Sequence, residues 1–179
     1  INGITGGYSL VVLGTLAIVN HKLNFIDMNL IAILMISLVI FCFFNFRKTA
    51  RCFAGDVGAV TIAFAVIFMV FSLIIKTENV LWIMLLVVYG VDTVLTILHR
   101  LMLKENIFKP HRKHIFQLMA NELGFSHVVV SCVYMAIQLV VALGLIYLPV
   151  NPWLYSIAVI LVLCIAYVIF KKKYYHLHE

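Results

Sequence analysis

Charged side chains are scarce in this chain: Asp, Glu, Lys and Arg make up 11% of its 179 residues, where a soluble domain carries about 25%. That shortage, in a chain so apolar, excludes a disordered segment, which stays solvated through high net charge and low hydrophobicity. The 4 cysteines, Cys42, Cys52, Cys132 and Cys164, form no C-x-x-C pair, so neither a disulfide-rich secreted scaffold nor a common zinc spacing is present. Three of them, Cys42, Cys132 and Cys164, sit inside apolar runs and are expected to be small core residues. No solenoid-type repeat and no low-complexity stretch is found. What fills the chain is apolar: 65% of residues are hydrophobic and the mean hydropathy is +1.13. A soluble core cannot hide that much, since even a domain of about 150 residues buries only roughly 70% of the surface it exposes when unfolded. The composition therefore reads as a polytopic membrane protein and excludes a soluble enzyme.

A bilayer core of about 30 Å needs about 20 apolar residues in helix. Six runs qualify, at about 8–20, 28–46, 57–75, 80–99, 127–148 and 152–170. The first is short and spans only if its helix begins near Ile4; the fourth is expected to continue past the membrane surface, through Leu103. The basic residues support the count. Arg47, Lys48 and Arg51 follow the second run, Arg100, Lys104, Lys109, Arg112 and Lys113 follow the fourth, and Lys171, Lys172 and Lys173 follow the sixth. The alternate connections hold only Lys22 and Lys76. The positive-inside rule places residues 1–7, 47–56, 100–126 and 171–179 in the cytoplasm. The net charge of +6 thus reports topology, and nucleic acid is not an expected partner. The expected fold class is an all-α, multi-pass helical bundle forming one transmembrane domain over residues 1–179, with its chemistry at the cytoplasmic face.

Polar residues gather in four places. Asp56 sits between Gly55 and Gly58 at the mouth of the third run. A carboxylate there is explained by the helix dipole or by a divalent cation, since hard cations take carboxylate oxygens. In the fourth run Asp92, Thr96, His99 and Arg100 fall on one helical face, at i, i+4, i+7 and i+8. Intramembrane carboxylates usually face a bundle interior, so this stripe either locks helices together or serves a site. Residues 104–117, K-E-N-I-F-K-P-H-R-K-H-I-F-Q, lie in a loop too long for a simple connector. His111, Arg112 and His114 suit a diphosphate, because guanidinium forks match phosphate oxygens and imidazoles add donors. The fourth place is the opening I-N-G-I-T-G-G, a glycine-rich approach to the first run. The basic tail, Lys171 to Lys173, reads as a stop-transfer and headgroup anchor among membrane lipids.

Together these motifs resemble the polyprenyl-phosphate N-acetylhexosamine-1-phosphate transferase superfamily, integral membrane enzymes that begin lipid-linked glycan synthesis in bacteria. Phe53-Ala54-Gly55-Asp56-Val57-Gly58-Ala59 resembles F-[LM]-G-D-x-G-S, and Ile1-Asn2-Gly3 resembles the end of N-F-x-D-G-x-[DN]-G. Val91-Asp92-Thr93 followed by Arg100 resembles the D-T segment, and Pro110-His111-Arg112-Lys113-His114 resembles the histidine loop. The resemblance implies Asp56 as the magnesium-coordinating aspartate, with manganese as a substitute, and Asn2 beside it in the catalytic set. It implies Phe53 under the uracil ring, Asn45 at the base, and His111, Arg112 and His114 toward the diphosphate and sugar, with Asp92, His99 and Arg100 in support. Two departures stand out: Ala59 replaces the usual Ser, and the loop reads P-H-R-K-H where the peptidoglycan translocase has three histidines.

The implied reaction transfers a sugar 1-phosphate from a UDP-N-acetylhexosamine, GlcNAc by default, to undecaprenyl phosphate, releasing UMP, in the bacterial inner membrane. The loop departure favours O-antigen, capsule or related glycans over peptidoglycan. No D-D-x-x-D motif of that family occurs in these residues and the first residue is Ile1. The chain is therefore expected to be the C-terminal part of a longer transferase, inactive by itself. A homodimer is compatible with this reading. An ion-coupled transporter, with Asp92 as the coupling site, and a non-catalytic scaffold are the alternatives.

Overall fold

The computed structural model describes residues 1–109 and 112–174, and these are helical with no strand. The helices are α1 (Ile4–Leu23), α2 (Met28–Asn45), α3 (Gly55–Thr77), α4 (Val87–Met102), α5 (Ile115–Asn121), α6 (His127–Tyr147) and α7 (Pro152–Tyr174), and a 3₁₀ segment, Val80–Leu86, runs straight into α4. Six stretches are long and apolar enough to cross a membrane: Ile4–Leu23, Met28–Asn45, Gly55–Thr77, Val80–Met102, His127–Tyr147 and Pro152–Tyr174. They coincide with the six expected runs. The first does reach back to Ile4, and α4 does continue to Met102 with Leu103 as its cap. The short helix α5 was not expected within the long basic loop.

Local chemistry sets the boundaries. The Asp27 carboxylate accepts from the Asn29 N–H at 2.9 Å to start α2, and Ser126 Oγ accepts from the Val129 N–H at 3.3 Å to start α6. Asn79 Oδ1 accepts from the Leu81 N–H at 3.0 Å where the 3₁₀ segment begins. Each satisfies a backbone donor that the helix itself leaves open. Helix α1 begins differently, on Gly3 at φ 82°, where an added Cβ would lie 1.9 Å from the Phe46 ring. Both the left-handed backbone and the missing space require glycine there.

Helix α1 is the hub. Its Leu13 and Leu16 are fully buried and it packs on α6, α2 and α3. Irregular backbone inside a membrane must be satisfied by protein, and at the 3₁₀ segment the buried Gln138 side chain on α6 does this. Its Nε2 donates to the Met84 carbonyl at 3.1 Å, while its Oε1 accepts from Tyr8 Oη at 2.6 Å and from the Val88 N–H at 3.4 Å. Helices α2, α3 and α7 turn long apolar faces outward, as a lipid solvent permits. For the same reason the expectation of core cysteines fails: Cys132 is exposed, and Cys42 and Cys164 are only partly covered. In a bilayer an apolar run needs no protein around it.

The starts of α1, α3 and α6 and the ends of α2, α4 and α7 meet at one end of the bundle. Asn2 joins three of them: its Nδ2 donates to the Arg47 carbonyl at 3.1 Å, its N–H donates to His127 Nδ1 at 3.3 Å, and its carbonyl accepts from Ser131 Oγ at 2.9 Å. Eleven of the 13 Lys and Arg residues belong to this end.

Candidate functional site

At the charged end the helix termini enclose a cavity of about 460 Å³. Asn2 and Thr5 line it from the start of α1, Phe41 and Asn45 from the end of α2, and Phe53, Ala54, Gly55 and Ala59 from the loop into α3. Arg112, Gln117, Asn121 and His127 close it from the long loop, α5 and the start of α6. Of the residues singled out in the sequence, the structure brings Asn2, Asn45, Phe53 and Arg112 to one wall set. Asp56 is exposed in the first turn of α3 and is not itself a lining residue, though Gly55 and Ala59 on either side of it are. His111 lies outside the described residues.

The side chains differ in how far the fold has already engaged them. Asn45 is buried, its Oδ1 accepting from the Gly3 N–H at 2.7 Å and its Nδ2 donating to the Cys52 carbonyl at 2.8 Å. It ties α1 and the Cys52 segment to α2 and shapes the cavity floor. Asn2 donates through Nδ2 to Arg47 and Lys48 carbonyls, and its Oδ1 has no protein partner among the described residues. The Asn2 N–H donates to His127 Nδ1, which acts there as an acceptor. Phe53 is 74% exposed, an aromatic face with no ring packed on it among the described residues. The Asp56 carboxylate makes no hydrogen bond or ion pair there either.

Magnesium can be tested against this donor set. Among the described residues no group of three or more His, Cys, Asp or Glu could hold a metal ion. Magnesium is commonly held through one or two carboxylates, with the remaining ligands from substrate phosphates and water. Toward such a set Asp56 offers a carboxylate, and Asn2 Oδ1 an oxygen, that no described residue engages.

The stripe on α4 proves to be a loop anchor. Asp92 is 3% exposed; its Oδ2 accepts from Tyr134 Oη at 2.8 Å, and its Oδ1 accepts from the Ile115 N–H at 3.1 Å and from Thr96 Oγ1 at 3.3 Å. Asp92 thereby holds the first residue of α5, the helix that carries Gln117 and Asn121 to the cavity. His114, with Nδ1 3.6 Å from the same carboxylate, stacks on Phe116. Thr96 Oγ1 and Tyr167 Oη share a hydrogen bond of 2.9 Å that reaches α7. Two turns on from Asp92, Arg100 grips the other flank of the loop. Its guanidinium donates to Glu105 Oε2 at 3.1 Å and to the carbonyls of Asn106, Ile107 and Lys109 at 2.6, 3.3 and 3.2 Å. Lys113 and Arg100 hydrogen-bond Glu105 and hold its carboxyl below the usual range. Lys171 of α7 donates to the Lys113 carbonyl. The loop is thus pinned on both sides of Arg112, and Asp92, Arg100 and His114 act from behind the cavity wall. His99 faces a separate groove between α4 and α7.

Thr5, Gln117, Asn121 and His127 were missed in the sequence. Gln117 and Asn121, four apart just after the basic loop, carried a helical-face signal; Thr5 and His127 are single polar residues at span ends and carried none.

A second cavity, an apolar groove of about 350 Å³, lies between α2 and α3. Leu34, Leu38, Ile62 and Val66 line it, and it shares Phe41, Phe53 and Ala54 with the polar cavity. The two share those three wall residues; amide, imidazole and guanidinium groups line much of the first, and mostly aliphatic and aromatic side chains line the second.

A family model described as Glycosyl transferase family 4 matches residues 1–76. The matched stretch, 76 of the 179 residues, contains Asn2, Asn45, Phe53 and Asp56 and is consistent with the resemblance to the polyprenyl-phosphate hexosamine-1-phosphate transferases; the D-T segment and the histidine loop lie outside it. No curated protein and no solved structure matches the chain.

Proposed function

We propose that this chain forms the nucleotide-sugar face of a membrane glycosyl-1-phosphate transferase, which moves a sugar 1-phosphate from a UDP-N-acetylhexosamine to undecaprenyl phosphate. The observation that carries the reading is that the polar cavity and the apolar groove adjoin, sharing Phe41, Phe53 and Ala54 as wall residues. A polar donor and a lipid acceptor need a site wet on one side and greasy on the other, and this site is both. The family match over residues 1–76 supports it.

In this reading Phe53 stacks on the uracil, Arg112 faces the diphosphate, and Gln117, Asn121 and His127 supply hydrogen-bonding groups to the sugar and phosphates. Asp56, with Asn2 Oδ1 as a further oxygen, would hold magnesium, which when bound would supply charge neutralisation at the diphosphate. A lipid phosphate oxygen forms a bond to the sugar-linked phosphorus, the bond from that phosphorus to the bridging oxygen breaks, and UMP leaves with the bridging oxygen. The cytoplasmic placement of this end follows from its basic loops, and a bacterial inner membrane follows from the undecaprenyl acceptor.

Binding of UDP tests the donor half directly. Titration calorimetry in magnesium is expected to show Phe53→Ala weakening UDP by about tenfold, since base-on-aromatic stacking is worth about 1–3 kcal/mol. Arg112→Ala should weaken UDP by a similar factor and leave uridine unaffected, because uridine has no phosphate. Equal UDP affinity in wild type and both variants would remove the cavity from the donor's path.

A further inference from the structure

On the opposite side of the loop from the polar cavity, α4 and α7 leave an open groove of about 930 Å³ at the charged end. It has two zones. Leu95, Leu98 and Met102 make an apolar wall, with Leu98 49% and Met102 73% exposed, and His99, Lys171 and Lys172 sit at its charged end. No Asp or Glu lines it among the described residues.

We propose that this groove seats an anionic phospholipid, its phosphate against His99, Lys171 and Lys172 and an acyl chain along Leu95, Leu98 and Met102. Charge complementarity and depth select this occupant. The cationic zone lies at the final turn of two membrane spans, where headgroup phosphates lie; Leu95 and Leu98 lead from it toward the membrane interior, and Met102 stands at the mouth in the same turn as His99. Basic pockets between spans at such a surface favour anionic headgroups over zwitterionic ones, by about 1 kcal/mol for each basic residue.

The cation is also placed. Lys171 is buried, donates to the Lys113 carbonyl and lies 5.8 Å from the centre of the Tyr167 ring. It does not sweep through solvent as a surface lysine does, so it presents an ordered charge. The same lysine pins the loop that presents Arg112, and a phosphate beside it therefore braces that loop from behind. The seat is distinct from the polar cavity and does not depend on the transferase reading.

Native mass spectrometry of the purified protein with phosphatidylglycerol and phosphatidylcholine of identical acyl chains tests it. Wild type is expected to retain phosphatidylglycerol preferentially. The double variant His99→Gln, Lys172→Gln should lose that preference by about tenfold, while Arg47→Gln, Lys48→Gln, at the same end of the bundle, keeps it. Met102→Trp, which fills the groove, should lower occupancy by either lipid. The proposal is overturned if the His99, Lys172 variant binds phosphatidylglycerol as wild type does, or if the Arg47, Lys48 variant loses as much. Displacement by inorganic phosphate would assign the groove to a soluble anion instead, and a dimer that disappears in Met102→Trp with lipid binding unchanged would assign it to a second copy. Thermal unfolding of each variant separates a lost seat from a lost fold, and Met102→Trp is expected to match wild type because Met102 is exposed.

Discussion

Asp56→Asn is expected to lower magnesium-dependent UMP release by about 10³-fold or more while leaving the amount of protein in the membrane unchanged. A thousandfold loss corresponds to about 4 kcal/mol of transition-state stabilisation. That is the scale on which a divalent cation at a transferring phosphoryl group operates. The competing account, in which Asp56 only complements the start of α3, predicts a different quantity. A surface carboxylate at a helix N-terminus contributes about 0.3–1 kcal/mol to stability, and its neutralisation would leave turnover intact. Because Asp56 makes no hydrogen bond or ion pair among the described residues, the substitution removes no protein contact there. Turnover is the readout that separates the two, and wild-type turnover in the variant would take magnesium coordination away from Asp56.

Asp92→Ala and Asp92→Asn are expected to part company. Alanine leaves the Tyr134 hydroxyl and the Ile115 N–H without their acceptor, at a cost of about 1–3 kcal/mol for each buried donor. Asparagine keeps an acceptor oxygen for Ile115 and turns an amide toward Tyr134. Asp92→Ala should therefore raise the KM for the UDP-sugar by about tenfold or more, leave the KM for the lipid acceptor nearly unchanged, and speed hydrogen exchange over residues 112–121. Asp92→Asn should stay within a few-fold of wild type on all three. A merely destabilised protein would lose active fraction, lowering kcat with both KM values intact. The transporter alternative makes the opposite forecast, since an ion-coupling carboxylate is lost equally in both variants. Equal damage from Asn and Ala would support that alternative over the loop anchor.

The parts of this architecture legible in the sequence are those governed by the bilayer. Six apolar runs and one-sided Lys and Arg placement sufficed for the six spans, because spanning length and loop charge are local properties of the chain. The helical-face spacing of Asp92, Thr96, His99 and Arg100 turned three of them inward correctly, since Asp92, Thr96 and Arg100 are buried, while His99 is only partly covered and lines the groove between α4 and α7. Their shared task was not legible: Asp92 and Arg100 hold backbone groups up to 23 positions away, and no local pattern encodes which backbone groups a buried side chain will meet. Helix α5 escaped for the same reason. Seven residues form no stable helix alone, and this one depends on Asp92 and on the Gln117 side chain, which accepts from the His114 N–H at 3.3 Å. The cysteines were misjudged because apolar was equated with buried, an inference that holds in water and fails in lipid.

The candidate site was half legible. Asp56, Phe53, Asn45 and Asn2 stood out through motif resemblance, and the match over residues 1–76 covers them. Gln117, Asn121 and His127 did not: the first two carried only a helical-face spacing and His127 none, and their convergence is set by how α1, α5 and α6 pack. Asn45 shows the limit of reasoning by residue type, since its buried amide is committed to Gly3 and Cys52 before any ligand arrives.

The most direct test is release of UMP by the whole gene product reconstituted in lipid vesicles with magnesium, a UDP-N-acetylhexosamine and undecaprenyl phosphate. The account predicts UMP and lipid-linked sugar diphosphate in equal amounts, with neither formed when undecaprenyl phosphate is omitted or magnesium is chelated. UMP formation that does not depend on the lipid acceptor, or no UMP from any UDP-N-acetylhexosamine in a properly folded preparation, would contradict it.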